Sequence, residues 1–203
     1  VLTSGLIREI GESRVQDASR KREALGGLAA SVRWRMVGHL QTNKARQALG
    51  VFDTVDSLDS LKLARQLDSE LGEADRKLEV LVQVKLTGKD AQYGVAPEDL
   101  GRFLKDLKAF PRLSVRGLMA IAPELEPVEA VRPGFRRMRE LFEESFSDVP
   151  GAVLSMGMSR DFEIAVEEGS TLVRIGSSVF GRHAPAEPER AGTTQHREGK
   201  HDR

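Results

Sequence analysis

Short apolar runs alternate along the chain with longer stretches whose apolar positions recur at helical spacing. The runs predict strands at residues 7–11, 33–38, 51–55, 78–86, 113–121, 152–156 and 172–176. The stretches between them predict helices at 14–24, 60–71, 97–110, 133–146 and 160–168. Leu61, Leu63, Ala64, Leu67 and Leu71 share one face of the second helix, and Leu100, Phe103, Leu104 and Leu107 share one face of the third. Ser159 is placed to N-cap the last helix and Gly169 to stop it. The run LEVLVQVKL, starting at Leu78, is nearly continuous in apolar residues, as strands buried on both faces of a parallel sheet are. Alternating strand and helix with right-handed crossovers leaves two architectures, an open doubly wound sheet or a closed barrel. Seven strands fall one short of a (β/α)8 TIM barrel, and 203 residues sit at the low end of its size range.

Composition narrows the class. Thirty-one basic and 31 acidic residues cancel, so no net field draws the chain to nucleic acid or to an anionic membrane. No run approaches the roughly 18 apolar residues of a membrane span. Cysteine is absent, which removes disulfides, thiol nucleophiles and thiolate metal sites together and fits a reducing, cytoplasmic setting. Residues 1–182 read as a single domain. Residues 183–203 read as a disordered tail, of which 184–203 carry three alanines as their apolar content and eight charges that sum to zero. His183, His196 and His201 in that tail have irregular spacing and no folded frame, so no metal is expected. Val1 to Leu6 reads as the end of a helix stopped by Gly5, which suggests that a structural element precedes it.

In parallel α/β folds functional groups collect at the C-terminal ends of strands. Four such loops stand out: residues 11–14, 38–44, 155–159 and 174–178. The last two follow the final two strands, where barrels of this kind often hold phosphate. Glycine lets a phosphate oxygen approach the backbone, and Ser177 and Ser178 add hydroxyls. An ordinary Gly-Ser turn is the competing reading. His39 stands beside Gln41, Asn43 and Lys44; it either hydrogen-bonds a neighbouring loop or acts as an acid or base. Lys44 opens a helix and Lys85 falls inside a strand, so neither is placed as a buried imine-forming amine. Glu12 and Arg14 read as solvated or capping charges, and Trp34 as core. Met119, Met156 and Met158 read as barrel lining.

At these loops the sequence resembles a known family. The stretches IGESRVQDA from Ile10, WRMVGHLQTNKAR from Trp34, VRGLMAIAP from Val115 and LSMGMSRDFEIAVEEGSTLVRIGSSVFG from Leu154 are similar to the pyridoxal-phosphate homeostasis proteins, relatives of the N-terminal barrel of alanine racemase. The resemblance runs in order over residues 5–182. It implies a single (β/α)8 barrel that binds pyridoxal 5′-phosphate (PLP) and serves vitamin B6 balance without established turnover. It further implies that Gly176 and Ser177, with Ser155 and Ser159, hold the phosphate. Arg174 would face the pyridine nitrogen, and His39 and Met119 would line the ring pocket. Ser13 stands where the family usually has Asn. The loop Gln92-Tyr93-Gly94-Val95 matches the family's glycine loop without the lysine often found there. In the family a first strand reading roughly Val-Ser-Lys carries the Schiff-base lysine; nothing like it occurs here, so that strand is expected to be missing from these residues. The alternative reading is a racemase-like PLP enzyme. Two-base racemisation also needs a tyrosine from a second domain, whereas the single tyrosine here is Tyr93. A third reading is a barrel that binds a protein partner and no cofactor. A single-domain barrel points to a monomer.

Overall fold

The computed structural model describes residues 7–72, 76–86 and 93–181. Seven strands, β1 (Glu9–Glu12), β2 (Arg33–Met36), β3 (Thr54–Leu58), β4 (Leu78–Gln83), β5 (Leu113–Met119), β6 (Val153–Met158) and β7 (Leu172–Arg174), form one sheet. Every pair is parallel, and the spatial order is the sequence order. A doubly wound sheet reverses its order at a switch point. This sheet does not reverse. Residues from both its first and last strands also line one common cavity, so the sheet curls into a barrel wall.

The wall holds together because its central strands are buried on both faces. All five residues of β3 are buried, as are five of the six in β4. Helices α1 (Val15–Leu25), α2 (Ala45–Leu49), α3 (Leu61–Leu71), α4 (Leu100–Leu107), α5 (Arg132–Phe146), α6 (Phe162–Glu167) and α7 (Ser177–Phe180) follow the strands. The amphipathic helices turn their apolar stripes inward: Leu63, Ala64, Leu67 and Leu71 on α3, Phe135, Met138, Leu141 and Phe146 on α5. Each such side chain contributes about 1.5–3 kcal/mol on burial. The Ser60 hydroxyl accepts the Leu63 N–H at 3.3 Å and starts α3 cleanly. Trp34 is fully buried, with its indole N–H donated to the Ala29 carbonyl at 3.0 Å.

Three expectations shift. The third strand lies at Thr54–Leu58, three residues beyond the predicted start, because it carries the polar residues Thr54, Asp56 and Ser57 into the interior. The fourth ends at Gln83; Val84 makes a lone bridge to Val95, and Lys85 lies past the strand with its N–H on the Val95 carbonyl at 2.9 Å. The last amphipathic helix starts at Phe162 after Asp161, not after Ser159. Gly169 does follow that helix, with a φ of 90° that other residues rarely adopt. Val1 to Leu6, Gln92, the polar segment 184–203 and the histidines at 183, 196 and 201 lie outside the described residues. Among the described residues no helix is long and apolar enough to cross a membrane.

Candidate functional site

The C-terminal ends of β5, β6 and β7 open onto a cleft of about 310 Å³. One wall is the connection after β5, with Ala122, Pro123, Glu124 and Leu125; another is the turn after β6, with Ser159, Arg160 and Asp161; Arg174, Gly176 and Ser177 complete it. Two glycines set its shape. Gly157 has a φ of 94°, and a Cβ there would meet the Ala165 methyl at 2.5 Å, so α6 can lie directly against the end of β6 only because the residue is glycine. Gly176 is the opposite case. Its φ of −116° suits any residue, and a Cβ there would meet nothing within 4 Å. The protein's own packing leaves open space beside Gly176, which lines the cleft.

Arg174 is the central cation. Its Nη1 donates to the Ser155 hydroxyl at 2.7 Å and its Nη2 to the Ala120 carbonyl at 2.8 Å. Burial pulls the guanidinium below its ordinary pKa, while the carboxylates of Asp56 and Asp161 oppose that shift. Both hydrogen-bond acceptors are neutral, so the positive charge stays available to a ligand. Ser155 is fully buried and pairs in register with Met119, also fully buried, so these two form the layer beneath the cleft. The Ser159 hydroxyl accepts the N–H groups of Gly176 at 3.2 Å and of Ser178 at 3.4 Å. An oxygen is therefore already held where two backbone N–H groups converge. Ser159 does not cap α6. The Asp161 carboxylate takes the Met158 N–H at 2.6 Å and shapes the turn instead.

The other expected residues lie elsewhere on the rim. Ser13 is exposed just past β1, with its backbone packed so closely on Gly38 that a Cβ there would sit 2.3 Å from the Ser13 carbonyl oxygen. His39 follows β2, and its Nδ1 lies 3.1 Å from an Asp59 carboxylate oxygen. A proton on Nδ1 donated to Asp59 leaves Nε2 as an acceptor. The imidazole also stacks on Tyr93, with centroids 3.7 Å apart and planes 10° from parallel. Neither Ser13 nor His39 lines the cleft described above. Sequence reasoning missed Asp59, which comes 20 residues after His39, and missed Arg160, which looks like an ordinary surface arginine in a turn. It also left Glu12 without its partner, which is Lys21 and not Arg14. Among the described residues no cluster of His, Asp or Glu could hold a metal ion.

Comparison with known proteins agrees with the barrel wall. The family model for the alanine racemase N-terminal domain matches residues 1–184. A pyridoxal phosphate homeostasis protein from Aquifex aeolicus is 41% identical over 177 residues, which cover 86% of this chain and 77% of that protein. PipY of Synechococcus elongatus PCC7942, solved with PLP bound, superposes with a TM-score of 0.78 at 37% identity, covering 88% of this chain and 84% of that one. Alanine racemase from Clostridium difficile 630 shares the fold, with a TM-score of 0.70 at 14% identity over 92% of this chain and 48% of that one. The barrel is thus of the alanine racemase N-terminal type, and the chain belongs to the pyridoxal phosphate homeostasis protein family.

Proposed function

We propose that this chain binds pyridoxal 5′-phosphate in the cleft at the ends of β5, β6 and β7 and serves as a cytoplasmic carrier in PLP homeostasis. One observation carries the reading: a half-buried guanidinium with neutral acceptors lines the same cleft as Gly176, which has open space beside it. The donor set fits a phosphate ester on an aromatic ring. Gly176, Ser177 and Ser159 would hold the phosphate, with Ser155 supporting Arg174 from below. Arg174 would face the ring nitrogen. Guanidinium can donate but not accept, so it leaves that nitrogen without a proton. When bound, the cofactor would supply an aldehyde and an electron-withdrawing ring; an unprotonated ring nitrogen makes the ring a weaker electron sink, an arrangement of the racemase kind. Met119 would lie beneath the ring, while His39 and Ser13 would approach from the rim beyond β1 and β2. Residues 1–182 would act as one binding unit.

Two relatives support this reading: a pyridoxal phosphate homeostasis protein 41% identical to the chain and PipY, 37% identical and solved with PLP bound. Calorimetric titration of the 203-residue chain with PLP tests it. Saturable binding with one PLP per chain, displaced by inorganic phosphate, is expected. A flat titration overturns the proposal.

A further inference from the structure

The turn after β6 holds a second cation that the site as described does not use. Arg160 lines the cleft next to Ser159, with its side chain 48% exposed. Its Nη2 is held by the Glu126 carboxylate and lies 3.5 Å from the Leu125 carbonyl. Glu126 belongs to the connection after β5, next to the cleft-lining Leu125, so the pair ties that connection to the turn after β6. Arg132 offers a contrast. It joins Glu129, Glu167 and Glu168 at once and is committed to fastening α5 to α6. Arg160 pairs with a carboxylate that is 81% exposed, and such pairs are weak because water and salt compete for both charges.

Resting on the reading that this cleft takes PLP, we propose that Arg160 is a specificity-determining residue that selects the phosphorylated ligand, and that Glu126 holds it in reserve until a phosphate arrives. The exchange is chemically favourable. A phosphate monoester near neutral pH carries close to two negative charges and three acceptor oxygens, and a guanidinium fork matches it better than it matches one exposed carboxylate. The cleft also needs the added cation. Glu124 and Asp161 line it beside Arg174, and a dianion entering among those carboxylates is better balanced once Arg160 has turned to it.

The test measures the affinities of PLP, pyridoxal and inorganic phosphate at low ionic strength for the 203-residue chain and its Arg160→Gln, Arg160→Lys and Glu126→Gln variants. Arg160→Gln should weaken PLP and inorganic phosphate about tenfold, the size of one charge-assisted hydrogen bond, while the affinity for pyridoxal stays the same. Arg160→Lys should recover part of that loss. Glu126→Gln should tighten PLP by about threefold, because the competing carboxylate is gone. A pair that merely stiffens the cleft predicts weaker binding from both neutral variants, so that result overturns the proposal. So does an Arg160→Gln chain that binds PLP as the parent does, or one that loses PLP and pyridoxal equally. A parent chain that binds neither PLP nor inorganic phosphate overturns the proposed function itself, and this inference with it. Melting temperatures of the variants separate a loss of folding from a loss of contact.

Discussion

The two ends of the barrel hold cavities of nearly equal size and opposite character. At the N-terminal ends of the strands a cavity of about 340 Å³ is lined by Glu9, Arg33, Arg35, Asp56, Glu79 and Arg116, among others. Every one of those cations meets a carboxylate: Arg35 clamps Asp56 at 2.8 and 3.0 Å and reaches Glu9 at 3.0 Å, Arg33 meets Glu79 at 2.7 Å, and Arg116 lies 4.0 Å from Glu79. At the C-terminal ends the cleft of about 310 Å³ contains Arg174 on neutral acceptors and two N–H groups sharing one hydroxyl. Volume therefore does not distinguish the proposed binding site from a structural cavity here. What distinguishes them is whether the charges are already satisfied. A self-neutralised network holds strands together, whereas a cation held by neutral groups keeps its attraction for an anion.

Breaking the lower network should produce the largest effect. Burial pushes the Asp56 carboxyl above its usual range, and Arg35 pulls it back. Asp56→Asn leaves the buried Arg35 short of its main partner and should cost about 3–5 kcal/mol, seen as a melting temperature lower by about 10 °C or more. The matching change at the upper end, Arg174→Gln, should act mainly on binding. It should weaken PLP about 10- to 100-fold in calorimetry with a smaller thermal penalty than Asp56→Asn. If it destabilises the chain as strongly as Asp56→Asn, the contrast between the two ends fails.

Gly176→Val sharpens the comparison without touching a charge. The backbone there tolerates a side chain and the space is open, so thermal stability should stay within about 1 kcal/mol of the parent. An isopropyl group at this cleft-lining position should crowd the proposed phosphate site and lower PLP binding by about tenfold or more. The smallest effect concerns pH. The hydrogen bond from Arg33 holds the Glu79 carboxyl below its usual range. A lowered folded-state value gives stability that is complete above the unfolded value of about 4.3 and is lost as pH falls through the folded value. Melting scans should show that loss below about pH 4 in the parent and a shallower one in Glu79→Gln.

Much of this was legible in the sequence, for a definite reason. Strands buried on both faces and helices with one apolar face announce themselves by periodicity, so all seven strands and the main helices appear near their places. The third strand was displaced because apolar runs are a poor guide where a buried strand carries paired polar groups: Asp56 is fully buried and clamped by Arg35, 21 residues earlier. The cleft residues Ser159, Arg174, Gly176 and Ser177, with Ser155 beneath Arg174, could be read from one continuous motif. Their partners could not. The pairing of His39 with Asp59 and that of Arg160 with Glu126 span 20 and 34 residues. Barrel curvature creates such contacts, and local spacing does not encode them. Ser159 illustrates the limit: a serine before a helix is a good N-cap by rule, yet this hydroxyl turns to the N–H groups of the next loop.

The single tryptophan and single tyrosine happen to occupy very different environments. The indole of Trp34 is sealed in the core with its N–H on a carbonyl, while the phenol ring of Tyr93 lies half outside, flat against the imidazole of His39. The chain thus carries two intrinsic optical probes. Blue-shifted indole fluorescence will report whether the barrel is intact, and difference absorbance of the phenol will report events at the rim beside β2, with no label attached.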